Sequence, residues 1–398
     1  MGGSAPALGV AAAALVTFWS VRSDAARRAV LLFATVAIGI LLSMRHLEAR
    51  RLSALLFLLS IVLAFAVWRA VSGRPRAGGA LRAGTMLLVA VFVAWKAVGV
   101  QSALFRMLHL PGKYLPAGAW LGGSYILFRL IHVSIEGGKA DFPRIGFPDF
   151  LLYVLFPSTL VAGPIARLPT FAESTRWRRP PLADVAEGSR RIVVGIFKKF
   201  VVADFIAILP IDFAHAGLST PRMWASLYLF GLQLFFDFAG YSDIAIGAAA
   251  LVGFRVPENF DAPYLKADIA RFWQSWHATL SSWMRDYVFF PLGRLLRRKA
   301  PRVPGSLVVL VCQVATMVLI GVWHGFFAGY AIWGAWHGIG LFVHREWSRR
   351  RPPPAGANRL GKAGATFATF QFVMIGWVFF YGTSVAESWL VLRKLLGR

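Results

Sequence analysis

Long apolar runs separated by short polar stretches recur along the whole chain of 398 residues. A run of about 18 to 20 apolar residues is long enough to cross a bilayer as a helix. A single soluble core in a chain of this length could not bury all of these runs, so the pattern predicts an all-α, multi-pass integral membrane protein. The predicted transmembrane helices, about eleven in number, are residues 7–20, 29–44, 52–71, 84–105, 117–135, 149–166, 191–210, 222–252, 305–322, 326–343 and 364–382.

One segment, residues 266–292, departs from this pattern because it mixes charged and polar side chains with tryptophan and phenylalanine. Polar or irregular helix at membrane depth persists only where protein encloses it or where it lines a water-filled cavity. We therefore predict a re-entrant or interfacial helix here. The preceding stretch, PENFDAPYL at 257–265, is predicted to be a structured loop that leads into it.

The charge balance supports a membrane protein rather than a nucleic-acid-binding one. Lysine and arginine total 43 against 18 aspartate and glutamate residues, a net charge of +25. The basic residues lie mostly in short loops between apolar segments, where membrane topology and anionic lipid head groups favour them. We expect the lipid bilayer as a partner and no nucleic acid. Cys312 is the only cysteine, which excludes disulfides within the chain and argues against zinc clusters and cysteine-based acyl transfer.

His324 lies between two apolar segments, 305–322 and 326–343, that are flanked by basic clusters at 294–302 and 345–351. If both clusters are cytoplasmic, the pair is a helical hairpin whose turn places His324 recessed from the outer side. A histidine at membrane depth is a functional hypothesis by default, because imidazole exchanges protons near neutral pH. A purely structural role, joining helices or lying in an aromatic belt, is the alternative.

His277 presents the same two alternatives within the polar segment. Ser281 follows four residues later on the same helical face, so a serine nucleophile paired with His277 is conceivable. No third, orienting carboxylate is evident for such a pair. His337 belongs to a second Trp-His-Gly sequence, but on a continuous helix it would lie roughly 20 Å from His324 and on nearly the opposite face. We assign His337 a structural role.

Other polar residues are candidates for the surroundings of these histidines. Gln233, Asp237 and Tyr241 are spaced four residues apart and form one stripe of an otherwise apolar helix. They are either a buried hydrogen-bond network or the polar wall of a tunnel. Arg285 and Asp286 are expected to form a local ion pair. The tryptophans near the histidines, Trp273, Trp276 and Trp323, are also predicted to line the tunnel or to support the catalytic histidines.

At these residues the chain resembles the membrane-bound O-acyltransferase family, in particular its bacterial branch of alginate O-acetylation and D-alanyl transfer proteins. Five blocks carry the resemblance in family order, and their combination is far more specific than a lone Trp-His-Gly. The blocks are FPSTLVAGPIARLPTF (156–171), GIFKKFVVADFIA (195–207), LQLFFDFAGYSDIAIG (232–247), NFDAPYLKADIARFWQSWHATLSSWMRDYVFFPLG (259–293) and GVWHG (321–325).

The resemblance implies a multi-helix membrane fold with a central funnel or tunnel, in which N-terminal helices (1–110) precede a catalytic core (111–398). It implies transfer of a short acyl group, acetyl above all, from a thioester donor to a hydroxyl of an extracytoplasmic polysaccharide or other envelope glycan. The family's invariant histidine matches His324 and its second histidine matches His277. Because a hydroxyl is a poor nucleophile, we expect His324 to be the general base and His277 to guide the donor or assist proton transfer.

The same resemblance sets the remaining expectations. The acyl thioester, acetyl-CoA or an acyl-carrier protein, is a co-substrate, and neither a metal nor a tightly bound cofactor is implied. A soluble extracytoplasmic acyltransferase is a candidate partner, and the bacterial inner membrane is the expected location. A non-catalytic transporter that uses its intramembrane histidines as a proton relay is the alternative function.

Overall fold

The computed structural model describes residues 5–43, 50–72, 84–90, 122–174, 179–209, 219–351, 359–382 and 384–397. No β-strand occurs among these residues, and the only β-type pairing recorded there is an isolated antiparallel bridge between Phe260 and Trp276. The prediction of an all-α protein is therefore confirmed. By internal contacts the chain forms two compact units, residues 1–195 with 241–257 and residues 196–240 with 258–398. The predicted domain boundary at residue 110 lies outside the described residues.

Residues 84–90 are helical, and seven further helices lie in the described part of the first unit. They are α1 (Ala5–Ser20), α2 (Asp24–Ser43), α3 (Arg50–Ser72), α4 (Gly123–Glu136), α5 (Phe147–Val154), α6 (Leu168–Ser174) and α7 (Leu182–Ile196). A π-helical stretch, Phe197–Ala203, follows α7 and leads into α8 (Asp204–Ala207). The long helix α9 (Thr220–Leu251) contributes residues 220–240 to the second unit and 241–251 to the first.

The second unit contains the segments that carry the histidines. Its helices after α9 are α10 (Ile269–Ser275), α11 (Ala278–Met284), α12 (Phe290–Lys299), α13 (Gly305–His324), α14 (Ala328–Arg350), α15 (Arg359–Tyr381) and α16 (Val385–Leu395). A π-helical turn, Arg285–Phe289, joins α11 to α12. The predicted polar segment is thus two short helices and a π-turn rather than one continuous helix.

Five helices among the described residues are long and apolar enough to cross a membrane, namely Asp24–Leu42, Leu55–Ser72, Thr220–Leu251, Gly305–His324 and Arg359–Tyr381. Each coincides with a predicted span, and together they support an integral membrane protein. The figure of eleven spans stays a prediction, because parts of 84–105 and 117–135 lie outside the described residues.

The predicted span at 149–166 is wrong as a continuous helix. The helix α5 ends at Val154, a single 3₁₀ turn follows at Pro157–Thr159, and no helix resumes before Leu168. Proline lacks a backbone N–H and clashes with the preceding turn, so Pro157 and Pro164 prevent a regular helix.

Arg129 stabilises this irregular stretch from α4. Its guanidinium donates hydrogen bonds to the carbonyl oxygens of Val154 (2.7 Å) and Thr159 (2.8 Å), which the broken helix leaves without helical partners. The backbone N–H of Leu168 donates to His132 Nε2 at 3.2 Å. Both side chains are buried, and both stabilise the fold of the first unit.

The helices α13 and α14 form the predicted hairpin, and they pack backbone against backbone. A Cβ atom on Gly321 would overlap the carbonyl oxygen of Tyr330, and one on Gly334 would overlap that of Met317. Small residues at such an interface allow the close approach that drives helix association in membranes. The turn of this hairpin, residues 325–327, places His324 at the last position of α13.

We expect Gly321→Ala to lower the free energy of unfolding by about 1–3 kcal/mol, because the added methyl group forces the two backbones apart. The matched control is Gly305→Ala in the same helix, where a Cβ atom meets nothing within 4 Å. The measurement is the thermal unfolding temperature of the two purified variants in detergent. Equal unfolding temperatures would contradict the close packing of this hairpin.

Candidate active site

His277 lies at a sharp break between the two short helices of the polar segment. The Asp268 side chain caps α10 by accepting a hydrogen bond from the Arg271 backbone N–H at 2.7 Å, and the helix ends at Ser275. His277 then adopts left-handed backbone angles, φ 43° and ψ 50°, before α11 begins. Such angles are uncommon for a residue other than glycine, and the strain they store is typical of functional sites.

The loop before α10 holds this break in place. The Asp261 N–H donates to the carbonyl oxygen of Ser275 at 3.0 Å, and the Ala278 N–H donates to that of Asn259 at 3.0 Å. These two hydrogen bonds and the bridge between Phe260 and Trp276 connect the loop to the residues on both sides of the break. The prediction of a structured loop at 257–265 is confirmed, and its role is to fix the backbone of His277.

A buried amide determines which nitrogen of His277 carries the proton. Asn259, fully buried, places its Oδ1 atom 3.0 Å from His277 Nδ1. The Thr279 hydroxyl donates to the same oxygen at 2.9 Å and the Thr279 N–H approaches it at 3.4 Å, so this atom is the acceptor and not the amide nitrogen. Nδ1 of His277 therefore donates, and Nε2 retains its lone pair.

The Nε2 atom of His277 is buried and has no hydrogen-bond partner among the described residues. Leaving a buried acceptor unsatisfied costs free energy, so such an atom requires an explanation. One side of the ring is closed by Phe238, whose ring centroid lies 4.8 Å away in an edge-to-face arrangement. The chemistry of Nε2 is that of a fixed hydrogen-bond acceptor awaiting an N–H or O–H donor.

His324, in contrast, is exposed at the end of α13. Aromatic rings surround its imidazole, with ring centroids of Phe380 at 4.9 Å, Trp333 at 5.9 Å and Tyr330 at 6.1 Å. The ring is held on several sides and remains open to solvent. Its predicted recess from one membrane face stays a prediction.

Trp323 packs against both imidazoles and brings them into one site. Its ring centroid lies 4.6 Å from that of His324 and 6.3 Å from that of His277. Burial, and to a smaller degree the neighbouring His324, lower the pKa of His277 from 6.5 to about 3. His277 is thus neutral across the physiological range, and a positive charge on one imidazole disfavours a charge on the other.

His337 is fully buried in α14 and accepts a hydrogen bond at Nδ1 from Trp273 Nε1 at 3.4 Å. The hairpin turn interrupts the continuous helix on which the predicted 20 Å separation from His324 rested. Trp333 consequently contacts both imidazoles, at 5.2 Å from His337 and 5.9 Å from His324. His337 packs behind the site, which agrees with the structural role assigned to it.

The conceivable pair of Ser281 with His277 is not formed. The Ser281 hydroxyl donates to the carbonyl oxygen of Trp276 at 3.3 Å, while Nδ1 of His277 is engaged by Asn259. The reason is the left-handed backbone of His277, which takes its side chain off the helical face that the sequence spacing assumed. The expected ion pair is confirmed, with Arg285 Nε 3.0 Å from Asp286 Oδ1.

The three residues of the α9 stripe have different surroundings, and their role as a tunnel wall stays a prediction. Asp237 pairs with Lys199 of the π-helical stretch, and its carboxylate is half exposed. Tyr241 belongs to the first unit, where it hydrogen-bonds with the backbone of Ala162. Gln233 is partly buried and belongs to the second unit, like Asp237.

Two predicted tunnel residues are part of the aromatic core of the second unit. Trp273 and Trp276 are buried, and Trp276 packs against Phe272 and Trp377 at centroid distances of 5.7 and 5.1 Å. Their packing positions α10 beneath the site. A tunnel along them stays a prediction.

Asn259 is the site residue that sequence reasoning missed. It lies inside a recognised block and beside a loop predicted to be structured, but a buried asparagine 18 residues from its partner has no local signature. Lys199 was missed in the same way, since its partner Asp237 lies 38 residues further along the chain.

Comparison with known proteins agrees with these motifs. The sequence model of MBOAT, the membrane-bound O-acyltransferase family, matches residues 29–385 of this chain. Over 313 residues the chain is 34% identical to a probable alginate O-acetylase, AlgI, of Pseudomonas fluorescens, covering 78% of this chain and 59% of that protein. It is 33% identical over 283 residues to a teichoic acid D-alanyltransferase of Streptococcus thermophilus, covering 66% of this chain and 68% of that protein.

A third relative is a peptidoglycan O-acetyltransferase of Helicobacter pylori, 34% identical over 263 residues, which cover 63% of this chain and 47% of that protein. The chain spans between about half and two thirds of the length of these curated relatives. The family match extends over most of the chain and includes both histidines, Asn259 and the α13–α14 hairpin. This chain therefore belongs to the membrane-bound O-acyltransferase family.

Proposed function

We propose that this protein is an O-acyltransferase of the bacterial inner membrane. It moves a short acyl group, acetyl above all, from a thioester donor to a hydroxyl of an extracytoplasmic polysaccharide or another envelope glycan. The observation that carries the proposal is the pair of unlike imidazoles on either side of Trp323, one exposed and one buried with a free acceptor nitrogen. Relatives named for the O-acetylation of alginate and peptidoglycan support it.

The two histidines have different tasks because they differ in their ability to hold a charge. A general base becomes imidazolium as it removes the hydroxyl proton, and it works best when its pKa lies near the operating pH. Burial opposes that charge on His277, whose pKa is about 3, whereas His324 is exposed. We therefore assign the general base to His324.

In the proposed reaction the acceptor oxygen attacks the thioester carbonyl carbon while His324 removes the hydroxyl proton. A new C–O bond forms, and the tetrahedral intermediate then collapses with cleavage of the C–S bond. The leaving thiolate takes the proton back from the His324 imidazolium, so the base is regenerated. The products are an ester and a free thiol, and no electrons are exchanged with a further reactant.

We assign His277 to positioning the donor. Nε2 is a fixed acceptor, and the pantetheine arm common to coenzyme A and acyl-carrier proteins carries amide N–H groups that match it. A bond from such an N–H would satisfy this buried acceptor, for which the described residues provide no hydrogen-bond donor. It would also place the thioester close to Trp323 and His324.

One experiment distinguishes the proposed acyl transfer from the transporter alternative. Membranes from cells with and without this protein are supplied with a radiolabelled acetyl thioester, and ester-linked label on envelope glycan is measured. We expect ester-linked label only where the protein is present. Export of glycan that continues without any ester formation would instead favour the proton-relay transporter.

Asn259 offers a prediction about how His277 is positioned. We expect Asn259→Leu to lower kcat/KM for the donor roughly tenfold or more, because the amide no longer holds the proton on Nδ1. Thr279→Val is the matched control, since it removes another donor to the same amide oxygen without touching the histidine. Similar losses in the two variants would show that Asn259 acts only on the fold.

The conservative variant Asn259→Asp adds a pH readout. A carboxylate beside Nδ1 favours the imidazolium form and raises the pKa of His277, so Nε2 becomes protonated at a higher pH than in the unmodified protein. Activity should then be lost at a higher pH as the solution is acidified. An unchanged acid limb of the pH profile would contradict the assigned role.

A further inference from the structure

An apolar groove with a volume of about 640 Å³ lies on the second unit, away from the two site histidines. One wall is α14, which contributes Ile339, Val343 and Trp347, and the other is α15, which contributes Ala365 and Ala368. The floor is a stacked pair of rings, Trp336 and Phe372, whose centroids lie 4.6 Å apart. The α15 wall is one of the five candidate membrane spans.

The α14 wall presents its large apolar side chains outward. Ile339 is 50% exposed, Val343 57% and Trp347 59%. They are spaced four residues apart and form one continuous stripe, facing the small residues of α15. A groove with large apolar side chains on one wall and small residues on the other has a shape and chemistry suited to an extended hydrocarbon chain.

A cation marks one end of the groove. The guanidinium of Arg351 lies over the ring of Trp347, 4.8 Å from its centroid. Arg345 and Arg349 pair with Glu346, but no carboxylate pairs with Arg351 among the residues that the structure describes. A guanidinium stacked on a tryptophan face keeps its hydrogen-bonding edge free for an anion.

The other edge of the groove is neutralised locally. Asp268 lines it, and this carboxylate lies 3.6 Å from His344 Nε2 and 3.3 Å from Arg271 Nε. The only carboxylate among the lining residues therefore has its own basic neighbours and forms no recorded ion pair with Arg351.

This gradient from apolar to cationic coincides with a membrane interface. Tryptophan is enriched at the level of lipid head groups, and basic residues follow it on the side of the anionic leaflet. Further cations flank the same ends of the two helices, Arg350 on α14 and Arg359 and Lys362 on α15. We therefore expect the groove to run from the hydrocarbon region to the level at which a lipid phosphate lies.

We propose that this groove binds one anionic glycerophospholipid. An acyl chain lies between α14 and α15 over the Trp336–Phe372 floor, and the phosphate of the head group contacts Arg351. The lipid supports the face of α14 next to the Asp268 cap of α10, and α10 leads to His277. This inference does not depend on the proposed acyl transfer, since it concerns a bilayer lipid and a different face of the unit.

Photo-crosslinking in nanodiscs tests the proposal on the full chain. The probes are phosphatidylglycerol and phosphatidylcholine that carry the same diazirine-labelled acyl chain, and adducts are located by peptide mass spectrometry. We expect phosphatidylglycerol adducts concentrated on residues 339–351 and 359–372. Ala368→Trp, which fills the groove, should reduce them to the level on the rest of the surface. The matched control is Leu319→Trp, an exposed position on α13 that does not line the groove.

A second part of the experiment tests the charge of Arg351 at the end of the groove. Arg351→Gln should lower the ratio of phosphatidylglycerol to phosphatidylcholine adducts in the groove roughly fivefold, the effect of about one cation near a lipid surface. Arg302→Gln, an exposed arginine on another loop, should leave the ratio unchanged. Equal labelling by the two lipids in the unmodified protein, or adducts that persist in Ala368→Trp, would overturn the proposal.

Discussion

Replacing His324 with alanine should lower the rate of acyl transfer by about 10²–10⁴-fold, the usual contribution of a positioned general base. The imidazole is exposed at the end of α13, so its removal takes little buried surface out of the fold. The surrounding rings of Trp333, Tyr330 and Phe380 also pack on one another, with Trp333 and Phe380 at 5.3 Å and Tyr330 and Phe380 at 5.0 Å. We therefore expect a folded but inactive protein.

Two controls accompany this variant. Phe326→Ala removes an exposed aromatic side chain from the same turn without removing a titratable group, and it should retain most of the activity. The thermal unfolding temperature of His324→Ala should match that of the unmodified protein. A folded His324→Ala variant with full activity would show that another group, or the substrate itself, takes the proton.

Replacing His277 with asparagine should raise KM for the donor and lower kcat/KM by about 10- to 100-fold. The variant removes the Nε2 acceptor and leaves a donor N–H unpaired in a buried site, a loss of about 1–3 kcal/mol. Asparagine is the appropriate substitution because it tolerates the left-handed backbone of this position better than alanine does. The measurement is steady-state kinetics with the thioester varied.

Ser281→Ala is the matched control for this second variant, four residues further along the chain in α11. Its hydroxyl donates only to the carbonyl oxygen of Trp276 among the interactions recorded for it, so activity should stay close to that of the unmodified protein. An inactive Ser281→Ala with an intact fold would instead revive a covalent serine mechanism. A fall in kcat with no change in KM for His277→Asn would contradict the donor-positioning role.

The position of His324 illustrates what residue pattern alone can predict. Two apolar segments flanked by basic clusters indicated a hairpin with this histidine at its turn, and α13 ends at His324. The hairpin is local, and its signals lie within the residues that form it. The close packing of Gly321 against the backbone of Tyr330 joins residues of this same hairpin.

The surroundings of His277 could not be predicted in the same way. Helical spacing pairs it with Ser281, but a left-handed residue breaks that spacing, and nothing in a Trp-His-Ala sequence announces such a backbone. The partner that defines its tautomer, Asn259, is brought close by the loop that crosses the break. Contacts of this kind arise from tertiary packing and leave no periodic trace in the chain.

The wrong span at 149–166 had a different cause. Hydropathy alone favoured a membrane helix, although Pro157 and the Gly163–Pro164 pair are signals of a break. The structure resolves the conflict in favour of those signals, because Arg129 satisfies the carbonyl groups that the interrupted helix exposes. Apolar composition thus located the burial of this segment correctly and its secondary structure only in part.

The most direct test of the central claim is ester formation by the purified protein reconstituted in proteoliposomes. An acetyl thioester is supplied with a hydroxyl-bearing envelope glycan, and the acylated glycan is identified by mass spectrometry beside the released thiol. We expect equal amounts of ester and thiol from the unmodified protein, and almost none from folded His324→Ala. Thiol release without an ester, or ester formation that does not need His324, would contradict it.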